Sequence, residues 1–231
     1  MTDAWFQAGY VVAAGFFALL TIVAATWWRA RYDGFALGFA TVATAVWCGL
    51  IGFSPWSGEV SSLWMFGAEV IADIAWLNFI GSLFRGAVMP RSFNLIRYGG
   101  VAVGVLVLAL GIGLEVWGGA GGASTPAVLV AGSILMSMTG LVALEQVFRN
   151  SRDSHRRDLR YLCLGLASLF FVDLLLYSNA VLAGRIAGVF WDIRGFVAAI
   201  AALLLARALA LRDLRAPGVL NFTGPELIVN L

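Results

Sequence analysis

The stretch of residues 161–182, YLCLGLASLFFVDLLLYSNAVL, contains a single charged residue, Asp173, near the middle of a long apolar run. A bilayer hydrocarbon core about 30 Å thick requires roughly 20 apolar residues per helical span. This run therefore predicts a transmembrane helix with a carboxylate inside the membrane. Six other runs of similar length predict the remaining spans, which gives seven in total, at residues 9–28, 34–53, 61–84, 98–117, 126–148, 161–182 and 189–211.

The composition supports an integral membrane protein. Of the 231 residues, 61% are hydrophobic and 12% are charged, whereas a soluble domain has about 25% charged residues. Seven spans joined by short connections use almost the whole chain. The predicted fold class is therefore all-α, a seven-transmembrane-helix bundle over residues 1–215, followed by a polar tail or linker at residues 216–231. The cluster Ser54-Pro55-Trp56-Ser57-Gly58 is expected to end the second helix.

The distribution of arginine predicts the orientation. All fifteen cationic residues are arginine, and only Arg185 and Arg194 fall on the side opposite the other thirteen. Cationic loops remain in the cytoplasm, so we expect the N-terminus outside and the C-terminus in the cytoplasm. The basic connector at residues 149–160 is interpreted as contacting anionic lipid, in preference to nucleic acid.

Several classes of function are disfavoured by the residues present. The sequence has no lysine, so a retinal Schiff base is excluded. Cys48 and Cys163 lie in apolar runs and are interpreted as buried thiols, and the one histidine, His155, is expected in a loop. No nucleophile–base pair, zinc ligand set or phosphate-binding loop is visible. We therefore expect no catalytic residue, metal or cofactor in this chain.

Ionisable groups within the spans are the candidate site. Each one costs at least about 2.5–3.5 kcal/mol to insert, so it needs a partner or a role. Residues four apart share a helix face. Glu69 therefore lies on one face with Asp73, and Asp173 lies on one face with Tyr177. Arg194 lies close in depth to Asp173 on the neighbouring helix, so an Asp173–Arg194 ion pair is the leading expected contact. The candidates are Glu69, Asp73, Asp173, Tyr177, Asp192 and Arg194.

Three interpretations of this set stay open at the level of sequence. The pair can simply hold two helices together, the six residues can line an outward-opening pocket that binds a ligand, or they can belong to a proton or ion path. Against the last, no chain of carboxylates continues to the cytoplasmic side. Glu145 is interpreted as an ion pair with Arg149, four residues further along the same helix.

Four segments resemble the membrane region of PrsK-type histidine kinases, the sensor kinases of PEP-CTERM/exosortase systems. LEQVFRN at residues 144–150 is similar to the family's EQLYRN, and RYLCLGL at 160–166 to KFLCLGL. DLLLYSNA at 173–180 resembles DFYLYSDALL, and WDIRGFV at 191–197 resembles WAARGFVNAL. Arg160 replaces the family's lysine, and Asp192 stands where alanine is expected. Weaker similarity extends to Trp28, Gly34, Trp47, Trp76 and Phe79.

The resemblance implies a sensory input module of a two-component system that controls exopolysaccharide and PEP-CTERM protein genes. It implies a homodimer, and a kinase core beyond this chain that uses ATP and Mg and phosphorylates a response regulator. Asp173, Tyr177 and Arg194 fall in the resembling segments. Two alternatives from other classes are a small-molecule transporter, which predicts a polar path and inverted repeats, and a structural subunit of a membrane complex.

Overall fold

A computed structural model of the chain describes residues 3–27, 32–57, 62–83, 91–117, 127–151, 153–184 and 188–211. Within these ranges the chain forms seven α-helices and no β-strand. In chain order they are α1 (Asp3–Trp27), α2 (Tyr32–Ser57), α3 (Ser62–Ser82), α4 (Arg91–Trp117), α5 (Ala127–Arg149), α6 (Asp153–Ala183) and α7 (Gly188–Leu211). The predicted all-α seven-helix bundle is confirmed. The predicted tail at residues 216–231 lies outside the described residues.

The helices form a closed ring. Each described helix packs against the next one in the chain, α7 returns to pack against α1, and α5 also contacts α3. Among the described helices, α3 makes no comparable backbone approach to α6 or α7. Long side chains therefore provide most of the connection between α3 and those two helices across the centre of the ring.

The bundle has the surface of a multi-pass membrane protein. Six of the seven described helices are long and apolar enough to cross a bilayer, α3 being the exception. Large apolar side chains face outward, for example Phe35, Leu19 and Leu203, which are 72%, 58% and 52% exposed. Apolar exposure on this scale is stable only against lipid or another protein.

The third helix contains the polar residues Glu69, Asp73 and Asn78 within its apolar sequence. From Glu69 to Ser82 every residue except Ile71 is buried or half-buried. Its polar side chains therefore face protein: Arg97 of α4, for example, donates from Nη2 to Asn78 Oδ1 at 3.0 Å. A helix surrounded by other helices does not need the hydropathy of one that faces lipid.

The expected end of the second helix is wrong, because α2 continues through Ser54 and Pro55 to Ser57. Proline has no amide hydrogen, so a helix that passes through residue 55 leaves the Ile51 carbonyl without its usual donor. The Ser54 hydroxyl donates to that carbonyl at 2.9 Å. This local substitute removes one reason for the helix to stop.

Two basic connectors are also shorter than expected. Helix α4 begins at Arg91, whereas the sequence suggested a start at residue 98, and α6 begins at Asp153, whereas residue 161 was expected. The backbone of His155 is consequently helical and does not lie in a loop. Both added segments lack glycine and proline, so nothing local prevents the helix from extending beyond the apolar run into the interface.

Two glycines let α1 and α7 approach closely beside Arg194. A Cβ added at Gly195 would lie 2.9 Å from the backbone nitrogen of Tyr10 and 3.1 Å from the carbonyl carbon of Gly9. A Cβ at Gly9 would lie 3.0 Å from the backbone nitrogen of Phe196. Small residues permit such contact between membrane helices. The approach fixes the start of α7 against α1.

We predict that Gly195→Ala destabilises the protein by about 1–3 kcal/mol, because the added methyl group meets backbone atoms that cannot rotate away. Thermal unfolding of the purified protein in lipid nanodiscs would measure this change. Gly15→Ala on α1 is the matched control, since a Cβ there meets nothing within 4 Å. Equal unfolding temperatures for the two variants would contradict the close packing of α1 and α7.

The orientation inferred from arginine is tested by cysteine labelling of the full chain. In a background with Cys48→Ala and Cys163→Ala, an impermeant maleimide should label Gly121→Cys in intact spheroplasts. It should label Ser154→Cys only after lysis. The reverse pattern would show that the bundle is inserted the other way round.

Candidate functional site

The site is built around the guanidinium of Arg194, the seventh residue of α7. The residue is only 1% exposed, and each of its three guanidinium nitrogens contacts a carboxylate oxygen. Nε donates to Asp173 Oδ1 on α6 at 2.5 Å. Nη1 lies 3.0 Å from Glu69 Oε2 and Nη2 lies 2.7 Å from Glu69 Oε1, both on α3. One cation thus joins three helices.

Glu69 receives the guanidinium in the two-pronged geometry that planar carboxylate and guanidinium groups favour. Its Oε1 also accepts a hydrogen bond from the Tyr177 hydroxyl on α6 at 2.5 Å. Asp173 and Tyr177 are four residues apart and occupy one face of α6. Glu69 is therefore tied to α7 through Arg194 and to α6 through Tyr177.

Aromatic rings complete the environment of the guanidinium. The Arg194 Cζ lies 4.4 Å from the ring centroid of Trp47 on α2, within the distance of an attractive cation–π contact. Trp47 in turn meets Tyr10 of α1 edge to face at 5.8 Å. The Tyr10 hydroxyl donates to the Trp191 carbonyl at 2.9 Å. These contacts extend the site to α1 and α2.

Asp73 lies one turn beyond Glu69 on α3 and is buried, with 9% exposure. Oxygens of Glu69, Asp73 and Asp173 lie within 4.8 Å of one another. Unlike the other two carboxylates, Asp73 makes no hydrogen bond or ion pair with any described residue. It is the carboxylate of the cluster without a direct partner.

A small cavity lies beside this cluster, between α2, α3, α6 and α7. Its volume is about 20 Å³, enough for one water molecule or one small ion. Its polar lining includes Thr44, Trp47, Glu69, Asp73, Asp173 and Arg194. The Nε1 of Trp47, itself buried, has no hydrogen-bond partner among the described residues. Polar groups from four helices therefore converge on one interior space.

The structure confirms the expected contact between Asp173 and Arg194, and it also brings Glu69, Asp73 and Tyr177 to the same place. Asp192 is not part of the cluster, although the sequence analysis included it. Two residues correspond to about 200° around a helix, so Asp192 points away from Arg194 and is exposed. The expected ion pair between Glu145 and Arg149 is present on the surface at 3.4 Å.

Sequence reasoning missed the aromatic and hydroxyl part of the site. Trp47 lies in the middle of its helix, whereas membrane tryptophans concentrate at the interfaces, and that position was a usable signal. Thr44 accepts a hydrogen bond from Trp76 Nε1 at 2.9 Å, and Tyr10 packs beside Trp47. Neither residue differs in sequence from an ordinary core residue, so only the packing identifies them.

The charges of the cluster decide what it can do. Two carboxylates share the Arg194 guanidinium and a third, Asp73, lies beside them, so acidic groups outnumber basic groups in a nearly dry interior. A buried ion pair whose partners are fully hydrogen-bonded can be stable, whereas removing one partner leaves an uncompensated charge. The cluster is suited to holding helices in one arrangement and to responding when its charge changes.

Comparison of the chain with protein-family models, with curated proteins and with solved structures gave no match. The residues of the site are therefore the basis for inferring its function.

We predict that Arg194→Met destabilises the protein by about 3–5 kcal/mol, because Glu69 and Asp173 both lose their counter-charge in the interior. The triple variant Glu69→Gln, Asp173→Asn, Arg194→Met should recover part of that loss. Chemical unfolding in detergent micelles, followed by tryptophan fluorescence, would measure both.

The matched control is Arg149→Met, which breaks an ion pair whose side chains are 71% and 60% exposed. Exposed pairs contribute about 0–1 kcal/mol. If Arg194→Met were no more destabilising than Arg149→Met, the buried network would not hold the bundle together.

Proposed function

We propose that the chain is the membrane-embedded signal-input domain of a bacterial two-component sensor histidine kinase, and that the Arg194 network is its switch. The observation that carries the switch is the sharing of one buried guanidinium by carboxylates of two different helices. Any event that weakens one of the two pairs leaves the guanidinium free to favour the other. The network can therefore exist in two arrangements.

The helix contacts explain how such a change could spread. Because α3 reaches α6 and α7 mainly through side chains, a change at Glu69 alters its link to both helices at once. Arg194 lies near the start of α7, and the rest of that helix runs to Leu211. A shift of α7 would move its far end, the end that we place at the cytoplasmic side.

A signal can act on this switch only through different affinities for the two arrangements. Typical coupling free energies of 1–3 kcal/mol correspond to about 5–150-fold changes in an equilibrium. The free energy of one hydrogen bond to a charged group is of that size. The switch therefore needs no large domain movement.

The kinase part of the proposal is supported by the resemblance to PrsK-type sensors. The resembling segments contain Asp173, Tyr177 and Arg194, three of the five residues that meet in the site. By that resemblance the protein is in the bacterial inner membrane, acts as a homodimer, and signals to a response regulator through a kinase core that binds ATP and Mg. Its N-terminus is outside and its C-terminus in the cytoplasm.

We predict that Asp173→Asn changes basal autophosphorylation about five-fold or more, because it removes the charge of one of the two groups that share Arg194. The measurement is transfer of labelled phosphate from ATP to histidine in native membranes, on the natural polypeptide that contains this chain. The matched control, Asp192→Asn, removes an exposed carboxylate two residues from Arg194 and should behave as the wild type.

Two results would count against the proposal separately. Equal autophosphorylation of Asp173→Asn and Asp192→Asn would remove the network from the mechanism. Absence of ATP-dependent phosphohistidine, both on the natural polypeptide and on proteins that co-purify with it, would exclude a kinase input role. Solute uptake by the protein in liposomes would then support the transporter alternative.

A further inference from the structure

The cluster of Glu69, Asp73 and Asp173 has more acidic groups than its single guanidinium can neutralise. Arg194 pairs with Glu69 and Asp173, and no other arginine is among the buried charged residues that the structure describes. Unbalanced charge is costly in a low-dielectric interior. The charge distribution therefore favours an additional cation at this position.

Asp73 is the residue that indicates where such a cation would bind. Its side chain is buried, borders the cavity, and makes no hydrogen bond or ion pair with a described residue. Buried polar groups in proteins nearly always have a partner. A cation in the cavity would supply the partner that Asp73 lacks among the described residues.

The spacing of the carboxylate oxygens fits a metal ion. One oxygen from each of the three residues lies within 4.8 Å of the others. Some point must then lie within about 2.8 Å of all three atoms, and small inward movements reach the 2.3–2.6 Å of calcium–oxygen bonds. Asp173 uses Oδ1 for Arg194, so its second oxygen can coordinate.

The residue types and the volume narrow the choice of ion. The cluster offers only oxygen ligands, which hard cations prefer, and no thiolate or imidazole of the kind that zinc prefers. Magnesium requires nearly octahedral coordination and retains several waters, which a cavity of about 20 Å³ cannot hold. Sodium and calcium have similar radii and accept irregular oxygen coordination.

A second buried group borders the same cavity. Trp47 Nε1 has no acceptor among the described residues, and a tryptophan N–H can only donate. Together with the carboxylates, this donor makes the cavity a polar interior space, which an apolar group would not be expected to fill.

We propose that Glu69, Asp73 and Asp173 bind one small hard cation, sodium or calcium, in the cavity beside Arg194. The idea that the domain senses this cation rests on the proposed function. The existence of the binding site does not depend on a kinase role. A bound cation adds positive charge next to the Arg194–Glu69 and Arg194–Asp173 ion pairs. It therefore changes the relative strength of the two pairs, which is the change that the proposed switch requires.

The test is thermal unfolding of the purified chain in lipid nanodiscs at constant pH, with choline chloride keeping the ionic strength constant. Sodium or calcium should raise the Tm saturably, by about 5 °C at a hundred-fold excess over Kd, and magnesium should have a smaller effect. Asp73→Asn should abolish the saturable shift. Asp192→Asn, the exposed matched control, should retain it.

The proposal is overturned if neither ion shifts the Tm saturably, if Asp73→Asn keeps the shift, or if Asp192→Asn loses it as well. If Asp73→Asn does not fold, equilibrium dialysis of the wild-type protein with radioactive sodium and calcium decides the question. About one ion per chain supports the site, and binding below about a tenth of that excludes it. Either result leaves the autophosphorylation test of the kinase role unaffected.

Discussion

The structure depends on one guanidinium that is shared by carboxylates from two other helices. Arg194 contacts Glu69 through two nitrogens and Asp173 through the third, so no nitrogen of the guanidinium is left without a carboxylate. In hydrocarbon each of these charges alone would be strongly unfavourable. Held together they become acceptable, and the helices that carry them are constrained to meet at one depth in the membrane.

The packing of the neighbouring residues supports this arrangement. Gly9 and Gly195 allow α1 to lie directly against α7 next to Arg194, which places Tyr10 beside Trp47 and Trp191. The ring of Trp47 then covers the guanidinium at 4.4 Å. Because the neighbouring side chains are closely packed, the proposed switch would convert a change in the charge of the cluster into a change in helix position.

The third helix shows that the Arg194 network allows acidic residues to lie within a membrane-spanning bundle. It contains the acidic residues Glu69 and Asp73, and among the described residues it is the helix without a stretch that is long and apolar enough to cross a bilayer. The surrounding helices and Arg194 supply partners in place of lipid. A cation bound at Asp73 would extend the same principle, since it would balance the carboxylate that the protein itself leaves without a partner. The proposed switch and the proposed cation site would both follow from one excess of negative charge.

The sequence by itself determined the number and type of the helices, because a helix that crosses a bilayer needs a mainly apolar run of nearly fixed length. It also indicated the polar candidates and the pair Asp173–Arg194, since charges in apolar runs are few and adjacent helices are close. The helix ends were less predictable: the Ser54 hydroxyl lets α2 pass Pro55, and α4 and α6 extend into their basic connectors. Only the tertiary structure decided that Glu69 takes two of the three guanidinium nitrogens, that Trp47 covers the cation, and that Asp192 faces away. These outcomes depend on the rotation of each helix about its axis and on the order of helices around the ring, and distant side chains set both.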